Sequence, residues 1–215
     1  MTKHIHRQIV VAFSLITAVC IALTVSFYIF SRNGAQVQHE EAAHSLEATA
    51  ETARNIVNSH IQGNLQTLVT LSSFIGYDSA DGLNPQQLLH DPAFLAQLDV
   101  VNSQNEFLRM GVVDTAGQGS FVLLDGSVQL EQDLSQDKTV QKALAGESTI
   151  STTFWDETMG CYVNRYAVPI YKGGVDGQVI GVLTGTNNTD ALRALLSPSL
   201  LLNGQVHAHI VDSQG

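Results

Sequence analysis

The stretch "MGVVDTAGQGSFVLLDG", residues 110–126, decides the fold. An apolar run enters Val-Asp, passes through a short segment of small and polar residues with two glycines, and returns as a second apolar run. That order predicts two antiparallel strands joined by a tight turn. Strands are expected at 107–113 and 120–124, and Asp125-Gly126 turns the chain into a third at 128–130. The same form recurs at the end of the chain. "VHAHIVDSQG", residues 206–215, is again an alternating apolar strand followed by Val-Asp and turn formers, and no second strand follows it. The repeat implies a second copy of the module that has only begun, and a chain that is the N-terminal portion of something longer.

Reading outward toward the N-terminus, residues 35–75 contain no proline and one glycine, Gly63. Leu46, Ala50, Ala53, Val57, Ile61, Leu65, Leu68 and Ser72 fall at three- and four-residue steps, with polar residues on the other faces. This predicts one long amphipathic helix over 34–76, suited to packing on a sheet or pairing with a second copy of itself as a homodimer. Before it, residues 9–30 read "IVVAFSLITAVCIALTVSFYIF" without a charge. As a helix at about 1.5 Å per residue this run spans a bilayer core of about 30 Å. A cleaved signal peptide asks for a shorter run ending in small residues. This one ends in Phe27, Tyr28, Ile29 and Phe30, which favours an uncleaved anchor. Lys3 and Arg7 place residues 1–8 in the cytoplasm, and the rest of the chain outside it.

Toward the C-terminus, Asn84-Pro85 and Asp91-Pro92 each start a short helix, the second ending near Asn105. "DKTVQKALAG" reads as a helix stopped by Gly146. Strands are expected at 150–155, 162–170 and 179–186, then a helix over 189–196. The expected fold class is α+β. An N-terminal transmembrane helix and a long amphipathic helix precede a PAS-like, mostly antiparallel sheet of about five strands. The expected divisions are a membrane-distal module at 77–200 and the start of a truncated proximal one at 205–215.

Composition narrows the function. A net charge of −10 argues against a nucleic-acid partner, and 44% hydrophobic residues argue for a packed core. Cys20 lies in the apolar run and Cys161 far from it, so no disulfide framework is implied. His39 and His44 in "HEEAAH" are five apart, about 140° around a helix, whereas a zinc pair needs a four-residue step. His207 and His209 share a strand face without an evident third ligand. No nucleophile elbow or phosphate loop is present. No catalytic residues, metal or cofactor are expected, and the chain is not expected to be an enzyme.

The assembled pieces resemble the extracytoplasmic double-Cache family of bacterial sensors. They are the anchor, the long helix, "FLRMGVVDTAGQG", "DLSQDKTVQKALAGE" at 133–147, "YAVPIY" at 166–171 and "VIGVLTGTNNTDALRALL" at 179–196. The resemblance implies a distal module that binds a small molecule and a cytoplasmic output domain absent from this chain. That output would be a cyclic-di-GMP enzyme (a diguanylate cyclase of the GGDEF type) somewhat before a histidine kinase or a chemotaxis transducer. Amino-acid-binding members carry an arginine, an aromatic and an aspartate where this chain resembles them at Asp137, Thr139 and Thr186. By that comparison an ordinary α-amino acid is a poor ligand. The candidate ligand residues are Arg109, Phe154, Trp155, Asp156, Asn164, Tyr166, Thr184 and Thr186, with Asn164 and Tyr166 on one strand face as a shared pocket wall. The alternative is a membrane-anchored partner-binding or structural protein.

Overall fold

The computed structural model describes residues 44–77, 83–105 and 107–190, with positions 24 and 194. Apart from Thr24, the apolar run at 9–30 lies outside the described residues, as does "VHAHIVDSQG". Among the described residues no helix is long and apolar enough to cross a membrane. The chain divides into two compact units, Met1–Glu51 and Thr52–Gly215. Of the first, Thr24 and residues 44–51 are described, all helical and mostly exposed. The sheet and the helices packed on it belong to the second unit.

The first element of that unit, α1, is helical over 52–77. Two short helices come next, α2 (Pro85–Leu88) and α3 (Pro92–Asn105). The α2 start is where Asn84-Pro85 placed it. The Asn84 side chain accepts from Gln87 N at 3.2 Å, and proline sits at the first helical position, where its missing N–H costs nothing.

Then comes the sheet: β1 (Phe107–Asp114), β2 (Gln118–Leu123), β3 (Val128–Asp133), β4 (Thr149–Ile150), β5 (Phe154–Asp156), β6 (Cys161–Tyr171) and β7 (Val179–Asn188), with α4 (Lys138–Leu144) between β3 and β4. The order is β3-β2-β1-β7-β6-β4, with β5 also on β6, and every pairing is antiparallel. The sheet therefore has seven strands rather than five. Part of the difference is that 150–155 is not one strand. Ser151–Thr153 leaves the ladder between β4 and β5, and the Asn164 side chain spans the gap, donating to Ser151 O and Thr153 Oγ1 at 3.3 and 3.2 Å. The helix expected at 189–196 is described only at 189, 190 and 194, all helical.

Each face of the sheet carries its own core. On one face Leu68, Leu71 and Ile75 of α1 pack with Leu89, Phe94 and Leu98 against Met110, Val112, Tyr166, Val168, Ile170 and Leu183. Burial of each such side chain contributes roughly 1.5–3 kcal/mol. On the other face Val140 and Ala143 of α4 pack against Val113, Phe121, Ala167 and Val182. The period-two alternation of strands makes this division, so consecutive residues of β6, Arg165 and Tyr166, serve opposite faces. One irregularity matters. A bulge between Phe107 and Arg109 turns Phe107 to the α1 side, where its ring meets Tyr166 edge-on at 5.8 Å.

Candidate functional site

On the face away from α1, the register sets three residues side by side across β1, β7 and β6. Arg109 pairs with Thr186, and Thr186 pairs with Arg165. The next row along the strands that faces the same way is Gly111, Thr184 and Ala167. Two arginines thus flank a threonine, beside a row of small, buried residues. Phe121 packs directly over Gly111 in that row. A Cβ on Gly111 would overlap the Phe121 ring and come within 2.6 Å of Ser120 O. Thr184 Oγ1 donates to Gly111 O at 3.2 Å, tying the small row together.

Both arginines are almost fully buried, at 2% exposure for Arg109 and 4% for Arg165. A buried guanidinium needs a partner acid, and each has one. Arg109 Nη2 donates to Asp156 Oδ2 at 2.9 Å and its Nη1 to Gln132 Oε1 at 3.3 Å. Arg165 Nη1 donates to Asp137 Oδ2. Each cation also lies over a ring. Arg109 Cζ is 4.8 Å from the Phe121 centroid, and Arg165 Cζ is 5.1 Å from that of Phe154. Burial lowers the Arg109 pKa from its ordinary value. The Asp156 charge opposes this and the nearby Arg165 charge adds to it, so the two cations sense one another.

One acid stands on the helix that covers this face and the other at the end of an edge strand. Asp137 is the N-cap of α4, where its Oδ1 accepts from Thr139 N at 2.9 Å and Val140 N at 3.1 Å. Asp156 closes the β5–β6 turn in the same manner, its Oδ1 accepting from Thr158 N and Met159 N at 3.0 and 3.1 Å. Both carboxylates are therefore engaged twice over, by backbone N–H groups on one oxygen and by an arginine on the other. Donor capacity remains on the cations. The Nε atoms of Arg109 and Arg165 are buried without a hydrogen-bond partner among the described residues. Gln132 reaches Arg109 from a bulge in β3, where Glu131 sits at φ 61°.

Of the residues picked from the sequence, Arg109, Phe154, Asp156, Thr184 and Thr186 lie on this one face. Asn164 and Tyr166 do share a face, as alternation required, but it is the face toward α1. Tyr166 is fully buried in that core, and its hydroxyl lies beside Asn64 without a hydrogen bond of good geometry. Trp155 is 47% exposed and meets Tyr162 edge-on at 5.2 Å, away from the arginines. Sequence reasoning missed Arg165, Phe121 and Gln132. Arg165 was legible in principle, as the charged residue of the strand expected at 162–170. The arginine that amino-acid-binding double-Cache members carry in the stretch matching 135–140 is indeed replaced here by Asp137 and Thr139. The sheet supplies two cations, from β1 and β6, rather than from 135–140.

No family model and no curated protein matches the chain. Solved structures do share its fold. The sensory domain of the Campylobacter jejuni chemoreceptor Tlp3 with isoleucine bound superposes with TM-score 0.53 at 18% identity, over 69% of this chain and 60% of that one. The ligand-binding domain of the Pseudomonas aeruginosa amino-acid chemoreceptor PctC in complex with GABA gives 0.52 at 24% identity, over 70% and 65%. That of the Pseudomonas fluorescens chemoreceptor CtaA with L-serine gives 0.54 at 16%, over 73% and 63%. The chain thus spans between 60% and 65% of the length of these three domains. The fold is that of bacterial chemoreceptor sensory domains, as the double-Cache resemblance implied.

Proposed function

We propose that residues 52–190 form a small-molecule sensing module, and that the ligand seats on the sheet face carrying Arg109, Thr186 and Arg165. The observation that carries this is the pair of buried guanidiniums whose Nε donors have no partner among the described residues. A buried donor without an acceptor costs on the order of 1–3 kcal/mol, and a ligand oxygen recovers it. Chemoreceptor sensory domains of the same fold bind isoleucine, GABA and L-serine, which supports a small polar ligand here. The finer reading is a membrane-bound receptor. The run at 9–30 anchors it, the sensing module lies outside the cytoplasm, and an output domain of the cyclic-di-GMP type receives the signal. The composition of that run and the double-Cache resemblance support this. Melting the 215-residue chain against a panel of amino acids, organic acids, amines and nucleosides tests the sensing reading. At least one compound should raise Tm, and Arg165→Met should abolish the shift. A silent panel, or a shift indifferent to both arginines, rejects it.

A further inference from the structure

We infer that the ligand of this face is a small dicarboxylate, whose two acidic ends replace Asp156 on Arg109 and Asp137 on Arg165. The inference rests on the sensing reading above and specifies what is sensed.

Three features lead to it. First, the acceptor side of the face is saturated while the donor side is not. Asp137 and Asp156 each take two backbone N–H groups and one arginine, so neither offers a lone carboxylate to a ligand ammonium. Among the described residues, the unpartnered buried atoms on this face are the two guanidinium Nε donors, which call for acceptors. Second, the cations come in a spaced pair. Arg109 and Arg165 flank Thr186 in register, so their Cα atoms stand two strand spacings apart, roughly 10 Å. Two separated guanidiniums match two acidic groups on a short spacer better than a single carboxylate. The neighbouring row of Gly111, Thr184 and Ala167 carries the smallest side chains of the face, and Phe121, which covers Gly111, is the ring that swings aside to seat the spacer. Third, the present counter-ions are placed to be exchanged. Neither aspartate stands at the centre of the sheet: Asp137 starts α4, and Asp156 ends the three-residue edge strand β5 where it turns into β6. When an aspartate releases its arginine, its other oxygen keeps two backbone N–H groups, so the displaced charge is not stranded. The dicarboxylate brings two negative charges to a cluster that is already neutral, so both displaced aspartates must turn toward solvent as it enters. As it does so it frees the start of α4 from the sheet, while β5 stays paired to β6.

Isothermal titration of the 215-residue chain with a matched series tests this. The series is succinate, glutarate, monomethyl succinate, succinamide, GABA and L-isoleucine. Succinate or glutarate should bind. Removing one charge should weaken binding about 10–100-fold, the worth of a charge-assisted pair. The amino acids should be weaker still. Arg165→Met should lose dicarboxylate binding, but it strands Asp137 and can unfold the chain. Asp137→Asn is the decisive variant, because asparagine still caps α4. It removes the competitor for Arg165 and should tighten dicarboxylate binding about tenfold. Unchanged or weaker binding in Asp137→Asn overturns the exchange. An amino acid or diamide that binds as tightly as the dicarboxylates overturns the ligand class and leaves the sensing reading intact. Silence from this series overturns the ligand class too, and the broader panel of compounds then decides whether the sensing reading falls with it.

Discussion

At Arg109 and Asp156 two charges are nearly removed from water, at 2% and 7% side-chain exposure. The cost of desolvating them is offset only while both are present. Asp156→Ala should therefore destabilise the chain by about 3–5 kcal/mol in chemical denaturation, because an unpaired guanidinium remains in the interior. The double change Arg109→Met with Asp156→Leu should cost markedly less than Asp156→Ala alone. If the double variant is the worse of the two, the pair is a net source of stability and desolvation does not dominate it. Tyr166 is the opposite kind of residue. Its buried hydroxyl makes no good hydrogen bond, so Tyr166→Phe should change stability by no more than about 1 kcal/mol in either direction. Burial raises the Tyr166 pKa above the ordinary tyrosine range, and the facing Asn64 partly opposes this. The folded state thus keeps a proton that the unfolded chain releases above about pH 10. The resulting stability is complete below that pH and is lost as pH rises through the folded pKa. Tyr166→Phe should flatten the loss of stability above about pH 10 in melts taken from roughly pH 8 to 11.5. An unchanged alkaline slope would mean that Tyr166 does not contribute to it.

At the scale of elements, most boundaries were readable because local chemistry sets them. Asn84-Pro85 and Asp91-Pro92 start helices for reasons internal to those dipeptides, and the turn after Asp114 closes through Asp114 Oδ1, which takes Ala116 N and Gln118 N. The gap at 151–153 was not readable, since it depends on Asn164 from a strand that comes later in sequence. The same limit governs the site. Alternation placed Asn164 and Tyr166 together correctly, but periodicity cannot say which of two apolar faces receives the long helix. That assignment needs Leu68, Leu71 and Ile75 to meet Tyr166, Val168 and Ile170, a contact across roughly a hundred residues of chain. The charge of Arg165 stands out within its strand, but which face it serves was unreadable for the same reason. The β3 bulge shows an element bent for a purpose. Glu131 holds φ 61°, a conformation that costs a residue with a Cβ on the order of 1–2 kcal/mol. Glu131→Gly should recover about 1 kcal/mol of stability while keeping Gln132 on Arg109, although it forfeits the exposed hydrogen bond from Gln86. A fall in the denaturation midpoint would show that the Gln86 contact outweighs the strain.

Across the whole second unit, the two faces of the sheet are linked through adjacent residues of one strand. Arg165 turns to the candidate ligand face, while Tyr166, Val168 and Ile170 of the same strand carry the contact with α1. A ligand that binds one placement of β6 better than another shifts the balance between the two by its difference in affinity, and a tenfold preference is worth about 1.4 kcal/mol. Because the α1 side is close-packed, β6 cannot move without α1 either moving with it or repacking. The contact itself should be tight. Leu68 has no exposure, and Leu68→Ala should cost about 2–5 kcal/mol. The C-terminal turn of α1 is seated just as closely. A Cβ on Gly76 would collide with the Tyr171 backbone carbonyl, so Gly76→Ala forces α1 off the end of β6. Spin labels at exposed Gln66 on α1 and exposed Ser127 at the β2–β3 turn report this coupling directly. Ligand binding should change their separation by roughly 1–2 Å, the scale of a packed-helix shift. In Gly76→Ala the ligand should still bind while the distance change is reduced or lost, since the Arg face is untouched and the helix seat is broken. A full distance change in that variant would mean that the signal does not pass through the β6–α1 contact. No change in the unmodified chain on saturation with ligand would mean that binding at the arginines is not coupled to the helix at all.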